Sequence, residues 1–182
     1  MTTNRFGSWS GRPGRRNFRN GLLLAVAAIA ACTPPDPKLI LRVSEVETYW
    51  VLDPSRTDKR FLAPAVRFRV ENISDHELNA VDATAAFKRE GTTGTWGSGY
   101  FPLTERGKRV KPGAKVLVTM GSDARYTALG PPENIFKNPG FKPASVEFFL
   151  KVGSSVWVSF GKASVENVIG SKDARAVLTP AQ

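Results

Sequence analysis

Cysteine, histidine and long apolar runs are scarce in this chain of 182 residues, which has one of each: Cys32, His76 and Gly21–Cys32. A lone thiol closes no intrachain disulfide, so the folded part must stand on a hydrophobic core. Too few sulfur and imidazole donors are present for a zinc or iron–sulfur site, and no metal or other cofactor is expected. His76 sits in a polar stretch after Asn72-Ile73-Ser74-Asp75. No Ser/His/Asp or Cys/His set can be built around it, so it is read as a solvated turn residue and the chain as not an enzyme. Asp53-x-Ser55-x-x-Asp58 offers oxygens but lacks the glycine and closing glutamate of a calcium loop. The glycines of Gly91–Gly99 lack a Gly-Lys-Ser/Thr segment and a following helix, which excludes a phosphate cradle. Apolar residues spaced for a helix face are not sustained anywhere after Cys32.

Acidic residues are missing ahead of Asp36, whereas Arg5, Arg12, Arg15, Arg16 and Arg19 precede the apolar run and carry half of the net charge of +10. What remains is moderately basic and does not by itself imply nucleic acid, which is not an expected partner. Gly21–Ala31 reads LLLAVAAIAA after its glycine. Its length as a helix, about 16 Å, falls short of a bilayer core of about 30 Å. A basic segment, a short apolar run and small residues at its end form a secretory signal pattern. Ile29-Ala30-Ala31-Cys32 resembles the bacterial lipobox. That resemblance implies cleavage before Cys32 and a lipid on its sulfur, anchoring the chain to a membrane of the cell envelope. It also accounts for an odd cysteine in an exported chain. Arg15-Arg16 followed by Asn17-Phe18 resembles a twin-arginine signal, with Arg19 where a second apolar residue is usual. The expected organisation is a signal over 1–31, a lipidated tether over 32–38, a folded domain over 39–167 and a loose tail over 168–182.

Beyond the proline-rich tether the period changes to two. Leu39, Leu41, Val43 and Val46 open a strand that reaches Leu52, and Val66, Phe68 and Val70 alternate with Arg67, Arg69 and Glu71. The second pattern is that of a half-buried antiparallel strand. Val81, Ala83, Ala85 and Phe87 share one face, and Lys111-Pro112-Gly113 is a tight turn before the strand Lys115–Met120. Asp123–Phe141 reads as a long connection, and Ser145–Val152 with Ser155–Val165 as a hairpin. Trp50 and Trp157 fall in strands and are expected in the core. About seven strands at this spacing predict an all-β, antiparallel β-sandwich.

Val70-Glu71-Asn72 closing one strand, Val81–Phe87 forming the next, and Val110-Lys111-Pro112-Gly113 leading into Val116-Leu117-Val118 resemble the small immunoglobulin-like sandwiches of bacterial lipoproteins, of the FxLYD type. The likeness covers about Leu39 to Asn167, without the signature aromatic-x-Leu-Tyr segment. It implies fold more than activity. Two surface features are candidates for binding. Gly91–Gly99 with Tyr100 could display Trp96 and Tyr100, and Arg106, Lys108, Arg109 and Lys111 form a basic turn. The expected function is a membrane-anchored accessory module that binds an envelope protein. The alternative is a module for envelope glycan or anionic lipid.

Overall fold

The structure, a computed structural model, describes residues 34–53, 60–104, 107–128 and 130–170. The chain divides into Met1–Thr33 and Pro34–Gln182, and every element described below lies in the second unit. It is an all-β antiparallel sandwich of eight strands in two sheets. One sheet has the order β1 (Leu41–Asp53), β2 (Arg60–Asn72), β5 (Lys115–Gly121), with β6 (Tyr126–Ala128) continuing the β5 side of β2. The other has the order β4 (Gly97–Pro102), β3 (Val81–Arg89), β7 (Ala144–Val152), β8 (Val158–Ser164). The chain changes sheet between β2 and β3, β4 and β5, and β6 and β7, the crossed connectivity of an immunoglobulin-like sandwich.

Alternation fills the space between the sheets. Val66, Phe68 and Val70 of β2 face Val81, Ala83, Ala85 and Phe87 of β3 and Val146, Phe148 and Leu150 of β7, all buried. Phe68 and Phe148 stack across the gap with ring centroids 4.7 Å apart. A Cβ on Gly161 would run into the Phe148 ring, so β8 carries glycine there. The outward residues of β2 pair along the sheet: Arg67 donates from Nε to Glu47 at 3.1 Å, and Arg69 donates to Glu45 at 2.6 Å. Such exposed pairs contribute at most about 1 kcal/mol each.

Three local features depart from a simple alternation. β1 carries a bulge between Ser44 and Glu47, with Glu45 at φ 53. The extra residue switches the inward parity, so Leu41 and Val43 point in before it and Trp50 after it, while Val46 is turned out. The expected long connection contains β6 and a single 3-10 segment, Pro132–Lys137. Trp50, Trp96, Tyr126, Phe136 and Phe141 close that end of the sandwich, with neighbouring rings 5.0–6.4 Å apart. Trp50 is in the core as expected, and its indole N–H has no hydrogen-bond partner among the described residues.

Both open sides of the sandwich are sewn. Beyond β8, Trp50 donates to Val168 O and Gly170 donates to Trp50 O, both at 2.8 Å, which adds a short parallel bridge to β1. Ordered pairing therefore runs through Gly170, three residues past the expected boundary at Asn167. On the opposite side Ser98 N donates to Asp123 Oδ1 at 2.7 Å, and Asp123 N returns a bond to Ser98 O at 3.1 Å. Such bonds occupy edge groups that would otherwise template pairing with another chain.

Candidate functional site

The two ends of the sandwich are unlike. One holds the aromatic cluster around Trp50. The other gathers the entry of the chain and three loops, and it is the more exposed chemically. Asp36 caps a single helical turn, α1 (Pro37–Ile40), by accepting from Lys38 N at 3.0 Å. Proline at the first helical position fits this start. Pro37 and Ile40 are buried, so of the expected tether Pro34–Asp36 and Lys38 are exposed and Pro37 is not, among the described residues.

Backbone hydrogen bonds bind the loops to one another. Ile73 donates to Ile40 O at 2.9 Å, Gly153 to Ala80 O at 2.7 Å and Gly113 to Asn72 O at 2.8 Å, while Leu78 and Val110 exchange bonds at 2.9–3.0 Å. Asn72 organises the centre. Its amide donates to His76 O at 2.8 Å and Val110 O at 2.9 Å, and its side-chain oxygen accepts from Ser74 N at 3.0 Å. The β7–β8 turn is held by Ser155, which accepts from Val152 N at 3.0 Å.

Four large apolar side chains stand out on this end: Leu39 (74% exposed), Ile73 (40%), Val156 (76%) and Trp157 (41%). The turn takes up Gly153–Trp157, so β8 begins at Val158 and Trp157 lies outside the core where the alternating pattern had placed it. The Lys151 ammonium lies 5.2 Å from the centroid of the Trp157 ring. Lys38, Lys108, Arg109 and Lys111 are exposed on the same end. Arg109 lies 3.4 Å from Glu77, whereas no ion pair engages Lys38, Lys108 or Lys111 among the described residues. The other acids here are Asp36, committed to the cap, Asp75 and Glu71. The Asp75 carboxyl is held below its ordinary range, chiefly by its hydrogen bond with His76 at 3.0 Å. His76 itself is in an exposed loop, as expected.

Lys108, Arg109 and Lys111 thus share an end with α1, but Trp96 does not join them. It lies at the opposite end, half-buried between Trp50 and Tyr126, with the Arg89 guanidinium 5.7 Å from its ring centroid. Of Gly91–Gly99, residues 91–95 form an exposed loop, but neither Trp96 nor the strand after it is displayed by that loop. Gly97 and Gly99 lie in β4, where a Cβ would strike Ser122 and Gly121 of the neighbouring sheet. Tyr100 does project, 62% exposed, from the outer face of the four-stranded sheet, and its hydroxyl donates to Asp82 at 2.8 Å. The register places Tyr100, Thr84, Phe149 and Ser159 in one row across that face. Ile29, Ala30, Ala31, Cys32, Arg15, Arg16 and Arg106 lie outside the described residues, as does nearly all of Asp53–Asp58. Leu39, Ile73, Val156 and Trp157 were not legible as a set in the sequence. A lone isoleucine within the polar turn Asn72–His76 was the one available signal.

Two grooves also mark the surface. One, of about 420 Å³, runs over the outer face of the first sheet beside Val46, Tyr49, Leu117, Val168 and Ile169. The Tyr49 hydroxyl there is pushed above its ordinary value, first by burial. The second, of about 460 Å³, is open and lies between Lys88–Thr92 and Pro143–Ser145. Among the described residues no three of His, Cys, Asp and Glu come together to hold a metal, and no helix is long and apolar enough to cross a membrane.

No family model and no curated protein matches the chain. Among solved structures it is similar to a Northeast Structural Genomics Consortium target, at 11% identity and TM-score 0.38, over 72% of this chain and 86% of that one. A protein from Archaeoglobus fulgidus matches at 14% identity and TM-score 0.37, over 69% of this chain and 98% of that one. A Bacteroides uniformis beta-glucuronidase matches at 12% identity and TM-score 0.38, over 69% of this chain but 12% of the enzyme. At such identities and scores these likenesses carry no argument.

Proposed function

We propose that the chain is a lipid-anchored, non-enzymatic module of the bacterial cell envelope, of the FxLYD-like kind, that binds an envelope protein through the outer face of its β4-β3-β7-β8 sheet. The observation that carries the reading is the row on that face. Tyr100 projects from β4 and Phe149 lies two strands away on β7, with Thr84 between them and Ser159 beyond, on a rigid sheet. Tyrosine and its aromatic neighbours supply large contact area at small entropic cost, which suits a protein interface. The anchor comes from the sequence: the basic segment, the apolar run and Ile29-Ala30-Ala31-Cys32.

The test is made in intact envelopes. A photo-crosslinking residue at Thr84 should trap one protein species. Tyr100→Ala should reduce that yield by about tenfold, since truncation of an aromatic anchor typically removes at least about 1.4 kcal/mol of binding. Yield unchanged by Tyr100→Ala sinks the interface. Separately, Cys32→Ala should abolish incorporation of labelled palmitate and release the chain from the membrane fraction. Retained incorporation sinks the anchor. A second reading, a module for glycan or anionic lipid, is favoured by a different observation: Lys108, Arg109 and Lys111 share an end with exposed apolar side chains.

A further inference from the structure

We infer that the end of the sandwich formed by α1 and the β2–β3, β4–β5 and β7–β8 loops docks directly onto an anionic phospholipid surface, in addition to any acyl anchor. Four observations converge on it. First, four of the eight exposed large apolar side chains of the described unit, Leu39, Ile73, Val156 and Trp157, lie on this end. Second, they come from three separate segments, α1, the β2–β3 turn and the β7–β8 turn. The Ile73–Ile40 and Gly153–Ala80 hydrogen bonds hold those segments together. The patch is therefore pre-formed and needs no folding on contact. Third, Lys38, Lys108 and Lys111 stand on the same end without an acidic partner, beside Arg109. Fourth, the described chain enters the fold here, through the exposed Pro34–Asp36 into α1.

Exposed apolar side chains, a tryptophan among them, and lysines on the same end match the layered chemistry of a membrane interface. Aliphatic groups enter the acyl boundary, the indole sits at headgroup depth, and ammonium groups meet phosphate. A cavity for a soluble anion would instead converge its cations on a buried point, and these lysines are spread over an exposed surface. A protein interface would place its polar groups at the rim of one flat patch; here apolar and cationic side chains are spread over α1 and three loops. Lipid is the occupant that fits. The attraction of each cation depends on anionic headgroups and is screened by salt.

The inference uses the reading of Cys32 only to explain why a membrane is near, and its test separates the two. Single cysteines are introduced into the full chain at Ile73 and at Val156, with Asn134→Cys at the opposite end as the control. Each engineered thiol is labelled with an environment-sensitive fluorophore. The processed chain is then mixed with vesicles of phosphatidylcholine and phosphatidylglycerol carrying a doxyl-quencher lipid. One dye per chain means that Cys32 is blocked; two dyes sink the anchor reading and leave the docking measurement to be repeated with Cys32→Ser. Quenching at positions 73 and 156 should exceed that at 134 by at least threefold. It should fall toward the control when phosphatidylglycerol is left out, when salt is raised, or in the variant Lys38→Glu/Lys108→Glu/Lys111→Glu. Equal quenching at all three positions overturns the docking, and quenching indifferent to both headgroup and charge reversal overturns the anionic-lipid assignment. Val156→Cys, at a fully exposed position in a turn, keeps the test decisive if Ile73→Cys disturbs its loop.

Discussion

Asn72 occupies the last position of β2, fully buried, and its amide ties two loops together through His76 and Ser74 on one and Val110 on the other. The sequence offers it as part of a formal Asn-Ile-Ser glycosylation sequon, but a buried amide with its hydrogens engaged is no acceptor. Replacing it with alanine removes these three side-chain hydrogen bonds, each contributing about 0.5–1.5 kcal/mol, although Val110 O keeps its bond from Leu78 N and His76 O its bond from Ser74 Oγ. Asn72→Ala is therefore expected to lose about 3 kcal/mol, lowering Tm by roughly 6–12 °C in a domain of this size. Calorimetry checks this, and a drop under 3 °C would mean that water takes over the bonds. The local motif Val70-Glu71-Asn72 was visible in the sequence, but the partners of the Asn72 side chain lie up to 38 residues away and were not.

Among the elements, strands with clean alternation were legible and those shaped by contact were not. β2, β3, β5 and β7 bury the residues that the period of two assigns to one face. β4 was hidden because its glycines answer to the adjacent sheet, where any side chain at Gly97 or Gly99 would collide. β6 is three residues long and exists through its pairing with Arg60–Leu62. The Lys111-Pro112-Gly113 turn was legible, and Gly113 indeed adopts φ 72 with Ala114 donating to Lys111 O at 3.0 Å. No atom lies within 4 Å of a Cβ built at Gly113 or at Gly94, and φ is positive only at Gly113. Gly113→Ala should thus cost about 1 kcal/mol by backbone strain alone, whereas Gly94→Ala should be neutral or slightly stabilising. Denaturant midpoints at unchanged slope decide between them; equal effects would refute the turn geometry.

At the scale of the whole molecule, the segment past β8 closes the first sheet and brings Gly170 against Tyr49, whose ring leaves no room for a side chain there. Burial raises the Tyr49 hydroxyl above its ordinary 10.0. The folded state then holds this proton more tightly than the unfolded chain does. The resulting contribution is complete below pH about 10 and is lost as pH rises through the folded value. Stability of the native chain should therefore fall more steeply above pH 10 than that of Tyr49→Phe, by up to about 1.4 kcal/mol per pH unit over that window. Parallel alkaline profiles would show that the hydroxyl is hydrated. This same closure fixes which end of the sandwich carries which chemistry. By itself the sequence determined the class of fold, because alternation of apolar and polar residues is a local property that a sheet must obey. It also determined that no disulfide closes within the given sequence, and the basic, apolar and lipobox-like pattern ahead of the domain. Only the tertiary structure decided that Trp96 turns into an aromatic core while Trp157 turns out of one. Only there do Leu39, Ile73, Val156 and the three unpaired lysines meet on one end, because strands of opposite direction bring residues more than a hundred positions apart to the same edge.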